Sequence, residues 1–154
     1  MQRDEWTFSA ATEVTVNLFS LHAMQFIIGK KLTEIEWLKN PNLSDYFDKT
    51  PTETDWQNDP KVALFMFVIM IAEFGWKPMQ TFMKNYEKDI SAGLSSLPRN
   101  DQEKIDQWVI RYSKLVDKNI KQHFEKFGLS VSDSVDDELS GLEPWSRIEI
   151  DGFN

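Results

Sequence analysis

Apolar residues recur along the chain mainly at helical spacing, separated by Gly, Pro, Asn and Asp. Residues 1 to 8 read as irregular. Ser9 or Thr12 can then cap a helix running to about Ile28, with Gly29 as a left-handed stop. The apolar set of that helix includes Val14, Val16, Leu18, Phe19, Leu21, Phe26, Ile27 and Ile28, too many for one narrow stripe, which predicts a central position. Leu32, Ile35, Trp37 and Leu38 predict a shorter amphipathic helix over 31–39, ended by Asn40-Pro41 because a residue before proline disfavours the α region. Residues 40–58 read as a long surface or functional loop, with one turn of helix available at Leu43, Tyr46 and Phe47.

Asp59-Pro60 is a clean helix start, and the apolar run that follows predicts a buried helix over 60–74 ended by Gly75. Pro78 can open the next helix, with Met79, Phe82, Met83 and Tyr86 on one face. A loop over 89–98 leads to Asn100-Asp101, which caps a regular helix carrying Ile105, Trp108, Val109, Tyr112, Leu115 and Val116. That helix continues or breaks near Asn119, and the next segment stops at Gly128. An acidic short helix is expected over 132–139. The tail, 143–154, alternates too briefly to assign, and a hairpin signal at Asp151-Gly152 has no partner strand after it. The pattern predicts an all-α fold of about six to seven helices.

Composition narrows the functional classes. The chain has 154 residues, 41% of them hydrophobic, which is enough for one sizeable core. Its net charge of −8 and lack of a basic run give no footprint for nucleic acid. Cysteine is absent, which removes disulfides, thiolate metal sites and Cys nucleophiles. Val62 to Ala72, the longest apolar run, is far shorter than the roughly 20 residues of a membrane-spanning helix. MQRDEWTFSA at the start lacks the apolar core of a secretory signal, so localisation stays open.

Candidate chemistry is sparse. The two histidines, His22 and His123, lie among apolar residues, where a packed, hydrogen-bonded imidazole is the expected state. No G-x-S-x-G, H-x-x-x-H, phosphate-binding glycine loop or EF-hand spacing occurs. Glu13 and His22 are nine residues apart, about 900° around a helix, and so face opposite sides. Asp133, Asp136, Asp137 and Glu138 read as a solvated helix start.

The stretch Trp6 to Leu21 (WTFSAATEVTVNLFSL) resembles the segment after the zinc-binding helix of the enhancin-like gluzincin metallopeptidases, peptidase family M sixty. Phe74-Gly75-Trp76-Lys77-Pro78, the Trp108-Val109 helix, Lys118-Asn119, Phe127-Gly128-Leu129 and Leu142-Glu143-Pro144-Trp145 match the same family in order. The resemblance implies that residues 1–145 are the C-terminal helical part of such a domain, with 146–154 a tail or the start of a following segment. It implies that Glu13, in an E-V-T-x-N pattern, is the third zinc ligand of the full protein; Asn17, one turn on along the same face, either orients it or faces a neighbouring helix or solvent. The HExxH helix that supplies the other ligands is not in this chain, so the expectation is a zinc-dependent parent and a chain that alone holds no zinc and cleaves nothing. Partners implied are the N-terminal half of the domain and a protein or glycoprotein substrate. A similar domain with a degraded zinc motif occurs in the TRP channel-associated factors, where it acts by protein contact, and the parent is expected to be secreted or membrane-associated. Trp6, Trp76, Trp108 and Trp145 are expected to anchor core and loops rather than bind sugar. On the fragment reading, Val14, Phe19 and the Val62 to Ala72 helix are expected to expose apolar patches.

Overall fold

The computed structural model describes residues 3–9, 11–39, 43–94 and 96–149. Among these residues the fold is all-helical, with eight α-helices, three short 3-10 turns and no strand beyond one isolated bridge between Asn119 and Pro144. The helices are α1 (Thr12–Phe26), α2 (Leu43–Phe47), α3 (Glu53–Asn58), α4 (Pro60–Phe74), α5 (Trp76–Ser91), α6 (Asp101–Val116), α7 (Lys121–Lys126) and α8 (Ser134–Glu138).

The core is built around α4. Every residue from Val62 to Ile71 is buried, so α4 is apolar all round and other helices must enclose it. Helices α1, α3 and α5 pack on it, and α6 packs on α5. Asp59 caps α4 by accepting from the Val62 amide at 3.0 Å, and Pro60 occupies the first helical position, where its missing N–H leaves nothing unpaired. Gly75, at φ +77°, ends α4 and turns the chain by 115° into α5. Pro78 therefore sits inside the first turn of α5, which begins at Trp76, two residues before the expected start. Among the described residues no single helix is long and apolar enough to cross a membrane.

Other expectations about the elements need correction. Within the segment read as irregular over 1–8, Asp4–Trp6 forms a 3-10 turn, and Trp6, as expected, and Phe8 are core residues, with Phe8 stacked on Trp56 and the Trp108 indole N–H donating to the Trp6 carbonyl at 2.7 Å. Over 31–39 there are two 3-10 turns, Leu32–Glu34 and Glu36–Leu38, separated by an extended Ile35. Their inward residues Leu32, Ile35 and Leu38 are spaced by three, which is the period of a 3-10 helix. The segment read as a loop over 40–58 holds α2 and α3, which bury Tyr46 and Trp56. A Thr52–Asp55 capping box starts α3. Finally, Ser9 does not cap α1, since it lies at φ +41° with its amide bonded to Asp101. The Asn40-Pro41 stop and the Asp151-Gly152 signal lie outside the described residues.

Candidate functional site

Helix α1 has three differently clothed sides. Val14, Thr15, Leu18 and Leu21 face α4 and are buried. Glu13 lies in the first turn on the side away from the core, exposed and without an ion pair among the described residues. Asn17 follows one turn later on the same face, half-buried, and no hydrogen bond joins it to Glu13. The helix ends two residues before the expected Ile28, and its end is uncovered: Phe26 is 60% exposed, Ile27 82% and Ile28 64%, while Val16 and Phe19 are each 43% exposed. Of the surfaces expected to be bare, Phe19 is, but Val14 and the Val62 to Ile71 stretch are covered by this chain's own helices.

Among the described residues no group of three or more His, Asp and Glu side chains converges where a metal could sit. His22 projects from the opposite side of α1 to Glu13, against the Trp76 ring at 5.0 Å and the Phe26 ring at 4.5 Å, with its Nε2 2.8 Å from Gln80 Nε2. His123 is fully buried on α7, its Nε2–H donating to the Met66 carbonyl at 3.0 Å. Burial holds the His123 ring neutral and pushes its pKa down to about 4, which the bond to Met66 only partly offsets.

The tryptophans divide by position. Trp6 and Trp108 are core, and Trp76 is nearly buried with its N–H donating to Gln25 at 2.6 Å. Trp145 packs on Phe74 and His123, with ring centroids 4.8 and 4.9 Å apart.

One feature escaped the sequence reading. Leu18, Phe19, His22, Trp76, Met79, Gln80 and Met83 line a groove of about 280 Å³ between α1 and α5. Met79 and Met83 carry the helical spacing of an ordinary core face, so their spacing does not announce the opening.

A family model described as peptidase M60, enhancin and enhancin-like matches residues 1–128. The chain is similar to TRPM8 channel-associated factor 3 of Rattus norvegicus, 27% identical over 152 residues. It is similar to the Homo sapiens TRPM8 channel-associated factors 2 and 1, at 27% and 25% identity over 152 residues. In each case the match covers 95% of this chain and 16% of the relative, so the chain spans about a sixth of the length of these relatives. No solved structure matches.

Proposed function

Because the chain belongs to the peptidase M60, enhancin and enhancin-like family, we propose that it is the helical part of a gluzincin-type domain, in which α1 offers Glu13 to a metal-binding helix supplied elsewhere in the full protein. The observation that supports this most directly is the outward side of α1: an exposed carboxylate without an ion pair among the described residues, with Asn17 one turn on and an exposed Val16 beside it, on a helix whose other side is firmly in the core. Such a face suits a covering element.

A catalytic zinc takes three protein ligands and leaves a position for water. One exposed carboxylate does not hold zinc against solvent, so on this reading the isolated chain neither retains zinc nor cleaves peptides. Peptide-bond hydrolysis, in glycoproteins such as mucins, belongs to the full protein. Elemental analysis of the purified chain, with a peptide-cleavage assay on the same sample, is expected to give far less than one zinc per chain and no hydrolysis above blank. Stoichiometric zinc or cleavage would overturn the reading.

The curated relatives favour a second reading. They are named as channel-associated factors, and on that reading the same face of α1 makes a protein contact without chemistry. The complete reading frame separates the two: an intact HExxH ahead of Glu13 supports hydrolysis, and a damaged one supports contact.

A further inference from the structure

The groove between α1 and α5 is separate from the face that carries Glu13, since His22, which lines it, projects from the opposite side of α1. Its lining is apolar and adaptable, with Leu18, Phe19, Trp76, Met79 and Met83 around the His22 ring. A volume of about 280 Å³ suits one or two large side chains rather than a whole cofactor.

The charge beside it runs against that of the molecule. Lys77, Lys84 and Lys88 are exposed and, at about 100° per residue, fall on one stripe of α5 adjoining Gln80 at the edge of the groove. Among the described residues none of the three is ion-paired. The nearest acids on the helix are already engaged: Arg3 holds Glu87 through two bonds of 2.8 and 2.9 Å, and Arg111 holds Asp89 at 2.6 Å. A protein with a net charge of −8 therefore presents, among its described residues, a basic rim without ion pairs next to an apolar slot.

We infer that this groove docks an acidic amphipathic helix of a protein partner, which seats apolar anchors among Phe19, Trp76 and Met83 while its carboxylates face Lys77, Lys84 and Lys88. A second copy of this chain fits less well, because symmetric packing over the groove brings two basic rims together. A lipid surface fits less well too, because the apolar side chains line a slot between helices.

The test is a fluorescence-anisotropy titration of the whole chain against a labelled helical peptide of about 18 residues with Leu and Trp at i, i+3 and i+7 and Glu elsewhere. A matching peptide with Lys for every Glu is the comparison. The Glu peptide is expected to bind about ten-fold tighter than the Lys peptide, with the gap closing as salt rises. Phe19→Ser abolishes binding, and Lys77→Glu with Lys84→Glu and Lys88→Glu reverses the preference at unchanged melting temperature. Glu13→Gln leaves binding intact, so failure here is distinct from failure of the zinc-ligand reading. Equal affinity for both peptides, a preference that survives the triple charge reversal, dimerisation that Phe19→Ser removes, or binding only to phosphatidylserine vesicles would each overturn the inference.

Discussion

At the scale of single residues the least ordinary group is His123. The folded ring stays neutral down to about pH 4, whereas an unperturbed histidine takes up its proton near 6.5. Between those values the unfolded chain binds more protons, so stability rises with pH. The contribution is fully present above about pH 6.5 and is lost as pH falls to about 4, amounting to roughly 3 kcal/mol over the whole window. Asp55 acts in a separate, lower window, because hydrogen bonds from Lys49 and Thr52 hold its carboxyl at about 2. Urea denaturation between about pH 7 and about pH 4.5 should show the midpoint falling in the native chain and nearly level in His123→Leu. A slope that survives the substitution would place the titration elsewhere. The sequence signalled that both histidines would be packed, and His123 is. His22 is only half-buried, because the apolar residues after it, Phe26 to Ile28, leave the core, which no periodicity announces.

At the scale of elements, legibility followed the caps. Helices α4 and α6 were readable because Asp59 and Asn100 precede them and accept from amides inside the first turn. Helix α3 has an equally clear signal in Thr52–Asp55, but its few apolar residues hid it, since Trp56 alone carries it into the core. The junction of α3 and α7 depends on Gly128. At φ +92° it closes α7, and a Cβ there would lie 2.6 Å from the Thr52 carbonyl oxygen, at the cap of α3. Gly141 has nearly the same backbone, φ +90°, with nothing within 4 Å. Gly141→Ala should therefore cost only the backbone penalty, about 1–2 kcal/mol. Gly128→Ala should cost clearly more, because backbone rather than a flexible side chain must move. Equal losses in the two variants would mean that the two helices part freely.

At the scale of the molecule, the N-terminal segment closes the core while part of α1 stays bare. Arg3 grips Glu87, the nearly buried Lys104 meets Asp4 at 3.1 Å, and Trp6 and Phe8 fill the centre of the core, so residues far apart in sequence close one cooperative unit. Apart from Trp6 as a core anchor, this was not legible, because a strap with a single short 3-10 turn shows no long period and its partners lie about a hundred residues away. The unbroken burial of α4 predicts a sharp two-state melt, while exposed Val16, Phe19, Phe26, Ile27 and Ile28 predict binding of a hydrophobic dye by the folded chain. These observations are separable. Trp6→Ala should lower stability by about 3–5 kcal/mol. Ile27→Ser with Ile28→Ser should remove most dye binding and shift stability by no more than about 0.5 kcal/mol, because those side chains are already in water. If the serine pair instead unfolds the chain, the end of α1 is packed in solution and is no bare apolar surface. If dye binding survives it, the uncovered apolar surface lies along the groove rather than at the helix end.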